Sequence, residues 1–195
     1  MVEKKQHLLV VDVQNDFCDS NGFFPRYHGK RPQGIDEAVN NIKLLIQLFR
    51  NGGSPIAYTQ AVGNENLLPL TQRERYRQRG LTGFLQTGSW GHDFYQLKPL
   101  SAEPVFQKVA YDPFFSKPFK SYALEAGSLL LAGFFSDICI DAIARSADHL
   151  GIETSLVADC SASMFRQHEE SWRFMQIFYG TKIYPTVKNW LQTNS

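Results

Sequence analysis

The 195-residue chain has only three cysteines, Cys18, Cys139 and Cys160. So small and odd a number cannot build the disulfide framework of a secreted mini-domain, and no basic, apolar leader with a small-residue cleavage site precedes the first strand-like run. A reduced, cytoplasmic protein is the expectation. Charge of one sign is also lacking. Twenty basic side chains against nineteen acidic ones give a net charge of +1, which leaves no electrostatic footprint for nucleic acid or an anionic membrane surface. Long hydrophobic runs are missing too. The longest, around Ser128 to Phe135, is about half of the roughly 18 residues a membrane span needs. No Gly-x-Gly-x-x-Gly or Walker pattern occurs, so no nucleotide cofactor is expected. Five histidines are scattered through the chain without metal-ligand spacing, so no metal is expected either. These absences leave a small, near-neutral molecule as the natural partner.

What is present reads as one domain over residues 1–195. The hydrophobic share of 43% supports one substantial core, and the length is short for two. "HLLVVDV" (7–13) is a continuous apolar, β-branched run of the kind that fits a strand buried on both faces. "IDEAVNNIKLLIQLFR" then places Ile35, Ala38, Val39, Ile42, Leu45, Ile46 and Phe49 at helical spacing, with Gly52 and Gly53 as its stop. Strand signals recur over 54–60, 104–110, 128–135 and 152–159, with helical signals over 119–126, 137–150 and 166–179. Such alternation predicts an α/β fold of three layers, a mostly parallel central sheet with helices on both faces. The stretch Ala61 to Ser101 breaks the pattern and reads as a functional rim or partner contact. Its Arg73, Arg75, Arg77 and Arg79 read as a solvated helix face.

In open α/β sheets ligands bind beyond the carboxyl ends of the strands. Three chemically capable side chains stand there: Asp12 in "VVDVQNDF", Lys108 in "VFQKVAYDPF", and Cys139 after "SLLLAGFF". An acid, a base and a thiol at one sheet edge make a nucleophilic site. Helix N-terminal amides and Lys108 are expected to favour the thiolate, and Asp12 to take the proton. Cys18 and Cys160 read as core side chains, and His149 and His168 as helix-surface groups.

Taken together, "VVDVQNDF", "KVAYDPFF", "GFFSDICI" and "LVADCSAS" resemble the isochorismatase-like cysteine hydrolase superfamily, from about His7 to Tyr184. That group includes nicotinamidases, N-carbamoylsarcosine and ureidoacrylate amidohydrolases, biuret hydrolase and the isochorismatases. The resemblance implies a Rossmann-like fold and a catalytic triad of Asp12, Lys108 and Cys139. It also implies a cis peptide between Phe134 and Phe135, and an oxyanion hole from the amides of Phe135 and Cys139. Gln14, Phe17, Trp90, Tyr111 and Phe134 match substrate-lining positions, and relatives form dimers or tetramers. The implied activity is cleavage of a C–N bond in a small carboxamide, carbamoyl or ureido compound through a thioester. The alternatives are vinyl-ether hydrolysis of the isochorismatase type, in which Asp12 protonates the substrate and no thiol is needed, and a non-catalytic metabolite-binding role.

Several positions depart from the family pattern. Ser136, Ile143 and Lys117 stand where relatives carry threonine, and Phe134-Phe135 is bulkier than the usual pair. Nicotinamidases carry Asp-x-His and a second histidine after the second strand to hold a metal; "YTQAVGNEN" has neither. With Phe17, Trp90, Tyr111, Phe114, Phe134 and Phe135 near the motifs, the expected ligand is compact and partly apolar.

Overall fold

The computed structural model describes residues 6–194. Six strands, β1 (His7–Val11), β2 (Ile56–Ala61), β3 (Val105–Lys108), β4 (Ser128–Phe134), β5 (Glu153–Ala162) and β6 (Lys182–Tyr184), form one sheet in the order β3-β2-β1-β4-β5-β6. Every neighbouring pair is parallel. The chain builds outward from β1 to β3, then returns to lay β4 on the other side of β1. The crevice between the ends of β1 and β4 is therefore a topological switch point, where doubly wound sheets bind ligands.

The run that reads as a buried strand is buried because both faces of β1 are covered. Leu8 and Val10 point into one core, with Ile42 and Phe49 of α3 (Ile35–Asn51) and Val187 of α8 (Val187–Asn194). Leu9 and Val11 point into the other, with Phe119 of α5 (Lys117–Ala126), Ile143 of α6 (Cys139–His149) and Met175 of α7 (His168–Tyr179). Alternation along one strand thus feeds two layers. Ile143, one turn past Cys139, is a core residue of α6.

Outside the sheet, two short helices, α1 (Asn15–Cys18) and α2 (Phe23–Tyr27), follow β1, and α4 (Leu70–Gln78) lies in the long stretch after β2. No residue of α4 is fully buried, and Arg75 and Arg77 lie exposed on it; Arg73 is half-buried and donates to Leu68 O, and Arg79 follows the end of the helix. Between 79 and 104 the chain carries no regular helix or strand. Backbone hydrogen bonds such as Tyr95 N to Val13 O and Asn15 N to Asp93 O tie it down, and one buried side chain bridges it to β2. Gln14 donates to Ala61 O and His92 O, both at 2.9 Å, and accepts from Ala61 N at 2.8 Å. Its two neighbours extend the clamp: Asn15 Nδ2 donates to Trp90 O, and the Asp16 carboxylate accepts from Phe23 N and Leu85 N.

Candidate active site

Each candidate side chain is delivered by the end of a strand. At Asp12 the backbone leaves β1 in the left-handed region, with φ of 50°, a conformation Asp tolerates better than most residues. Asp12 N still donates to Thr59 O on β2, and Thr59 Oγ1 donates to Asp12 Oδ1 at 2.8 Å. Lys108 is the last residue of β3. Its Nζ lies 2.7 Å from Asp12 Oδ2 and 3.3 Å from Cys139 Sγ, and also donates to Ala110 O. Cys139 is the first residue of α6. All three are buried: Asp12 is fully covered, Lys108 is 5% exposed and Cys139 is 6% exposed.

The turn between β4 and α6 has special geometry. Gly133 has φ of 120°, and a Cβ there would collide with the backbone of Val11, so only glycine lets β4 run this close to β1. The peptide between Phe134 and Phe135 is cis. Within the turn, Ser136 N donates to Ala162 O, and Ile138 N and Ile140 N both donate to Phe135 O. The amides of Phe135, Asp137 and Cys139 are outside this set.

Electrostatics refine one sequence expectation. The Cys139 thiol is pushed up to about 12, first by burial and then by the Asp12 carboxylate, against the pull of Lys108. Desolvation of a thiolate outweighs one neighbouring ammonium that is already paired with Asp12. Lys108 does favour the thiolate, as the sequence suggests, but less than burial opposes it, which leaves a neutral thiol beside an Asp12–Lys108 ion pair. Burial works to lower Lys108, but Asp12 and Cys139 together raise it, so it stays charged.

A cavity of about 430 Å³ opens on Cys139 and Lys108. Phe17, Tyr111 and Phe134 line it, together with Phe135. Gln14 and Trp90 do not. Gln14 is fully buried and spends its amide on the backbone of residues 61 and 92, while the Trp90 ring is half exposed and its carbonyl serves Asn15. Phe114 also falls outside the wall, because it packs edge-on against Phe119 in the core below. Lys117 is exposed at the start of α5.

Sequence reasoning passed over two residues. His168, read as a surface group, is half-buried behind the turn: its Nδ1 lies 3.1 Å from Ser136 Oγ and its Nε2 lies 3.0 Å from Ala158 O. The 32-residue separation from Ser136 left no local signal. Asp137 holds the segment after β5 by accepting from the amides of Met164, Phe165 and Arg166. An Asp just before a helix start was the available hint.

Metal donors do not assemble. Past β2 the cavity wall is Ala61, Val62 and Gly63, whose side chains carry no ligating atom. Among the described residues no group of three or more His, Cys, Asp or Glu side chains could hold an ion.

The isochorismatase domain family model matches residues 6–184, nearly the whole chain. The chain belongs to the isochorismatase family. The isochorismatase-family protein YddQ of Bacillus subtilis is 28% identical over 193 residues, covering 93% of this chain and 94% of its own. Ureidoacrylate amidohydrolase RutB of Pseudomonas savastanoi pv. phaseolicola is 28% identical over 173 residues, covering 79% of this chain and 69% of its own. Among solved structures, N-carbamoylsarcosine amidase of Thermoplasma acidophilum superposes with a TM-score of 0.72 at 20% identity, covering 92% of this chain and 95% of that one. Family and fold together make this isochorismatase-family chain a hydrolase. Among its described residues no helix is long and apolar enough to cross a membrane.

Proposed function

We propose that this isochorismatase-family hydrolase is a cysteine amidohydrolase that cleaves the C–N bond of a small carboxamide, carbamoyl or ureido compound through a thioester on Cys139. The observation that carries the reading is the single buried cluster in which Lys108 Nζ lies 2.7 Å from Asp12 and 3.3 Å from Cys139 Sγ. An acid–base group and a nucleophile in contact, with a cation between them, is the arrangement that nucleophilic acyl transfer requires.

Cys139 Sγ attacks the substrate carbonyl carbon as its proton passes to Asp12, so no free thiolate has to accumulate. The oxygen that gains charge is held by the amides of Phe135 and Cys139, and donors placed in this way are worth on the order of 3 kcal/mol each to a tetrahedral intermediate. The C–N bond breaks as Asp12 returns the proton to nitrogen, releasing the amine and leaving the acyl group on sulfur. Water then attacks the thioester while Asp12 accepts its proton; the carboxylic acid leaves and the thiol is restored. Lys108 keeps Asp12 oriented and offsets its charge throughout. The donor set beyond β2 supports a route that needs no metal.

The test is ammonia release from a panel of small amides, carbamoyl acids and ureas, before and after exhaustive chelation and dialysis. Turnover that survives chelation is expected. Activity that disappears with EDTA and returns with zinc or iron would overturn the metal-free route, and a panel with no turnover would overturn the amidohydrolase reading.

A further inference from the structure

Rings and aliphatic side chains wall the cavity beside Cys139. Phe17 contacts Phe24 at 4.9 Å and Phe135 at 5.7 Å between centroids, Phe24 contacts Phe84 at 5.4 Å, and Phe165 closes the far side against His28 at 5.2 Å. The tyrosine hydroxyls of the wall are already committed. Tyr27 donates to Arg79 O, while the Tyr76 hydroxyl accepts from Gln72 and pairs with Tyr111. No Asp or Glu lines the space, and of its basic side chains only Lys108 is buried, His28 being half-buried and Arg79 exposed. A polar tail entering this cavity past Cys139 would lose water and find little to replace it.

Orientation follows from the proton route. Asp12 must reach the leaving nitrogen, so nitrogen faces the Asp12–Lys108 wall, where both side chains are closed to solvent at 0% and 3% exposure. Lys108 lines the cavity there and Asp12, fully covered, does not, so that side admits no more than a small amine. The acyl substituent then points away from Asp12, into the ring-lined volume of about 430 Å³, a size typical of ligand pockets.

Resting on the amidohydrolase reading above, we propose that the substrate is a primary carboxamide with a large, apolar, ring-bearing acyl group, hydrolysed to ammonia and the apolar carboxylic acid. This differs in kind from the ureido acid named for the RutB relatives. It also enlarges the compact ligand that the sequence suggests.

The experiment compares 3-phenylpropionamide, acetamide and ureidoacrylate as substrates of the full chain, by ammonia release. Burial of one phenyl group should raise kcat/KM for phenylpropionamide about 10- to 100-fold over acetamide, with ureidoacrylate slower than the phenyl amide. Phe165→Ala, at a position 67% exposed, should fold normally and narrow the phenyl-to-acetamide ratio several-fold. Ureidoacrylate or acetamide turned over as well as the phenyl amide would overturn the apolar specificity and leave the amidohydrolase reading intact. If no amide is hydrolysed, that reading fails, and calorimetry with Cys139→Ala decides the pocket separately. Binding of phenylpropionamide at least 10-fold tighter than acetamide supports an apolar site, and equal binding overturns it.

Discussion

At the scale of single residues, the buried Asp12–Lys108 pair is structure, and in the proposed reaction chemistry as well. Removing one partner of a buried ion pair leaves the other charge uncompensated, which typically costs about 3–5 kcal/mol. Lys108→Met should therefore lower the melting temperature sharply as well as abolish turnover, whereas Asp12→Asn combined with Lys108→Met should recover much of the stability and none of the activity. A double variant no more stable than Lys108→Met would show that the pair is not the source of the loss. The thiol gives a second test. Because burial and Asp12 push Cys139 up to about 12, its alkylation by iodoacetamide should be slow at neutral pH and rise about tenfold per pH unit through the alkaline range the fold survives. A rate that levels off below pH 8 would mean that the thiolate forms easily and that the desolvation argument is wrong.

At the scale of elements, the QND sequence after β1 clamps the long stretch that follows β2. Gln14→Ala would strand Ala61 N and Ala61 O and remove one of two donors to His92 O, which Gln60 Nε2 also serves at 3.0 Å, and each buried group left unsatisfied costs about 1–3 kcal/mol. Amide exchange across residues 61–101 should rise in that variant well before exchange in β1 or β4. Trp90→Ala should leave kcat/KM within a few-fold of the parent, since its ring lies outside the cavity; a large loss would return Trp90 to the site. These two residues also mark the limit of what sequence could say. The central strands were legible because sheets covered on both faces demand continuous apolar runs, and the site residues were legible because Asp12 follows such a run, Lys108 ends the short edge strand β3 and Cys139 comes a short turn after β4. Whether a glutamine or tryptophan at the rim faces ligand or backbone depends on contacts such as those between Gln14 and residues 61 and 92, which local pattern does not encode. The short β6 and α4, which has no fully buried residue, left equally faint periodicity.

At the scale of the whole molecule, all three cysteines are buried. Burial raises Cys18 and Cys160 well above the usual thiol range, as it raises Cys139. Above about pH 9 the unfolded chain gives up these protons and the folded chain keeps them, so stability is full below the unfolded thiol value and is lost as pH rises. Each withheld proton shifts the folding equilibrium about tenfold per pH unit. The melting temperature should fall steeply above pH 9, and less steeply for Cys18→Ala; parallel profiles for the two proteins would contradict this. The doubly wound sheet exists, in functional terms, to bring the ends of β1, β3 and β4 to one crevice, and the account stands on the claim that Cys139 is the nucleophile there. The most direct measurement is kcat/KM of Cys139→Ala beside the parent on the same amide, with melting temperatures recorded for both. If thiol, acid–base group and lysine act as one unit, Cys139→Ala loses several orders of magnitude in kcat/KM with the fold intact. A Cys139→Ala variant that retains most of its ammonia release would contradict it.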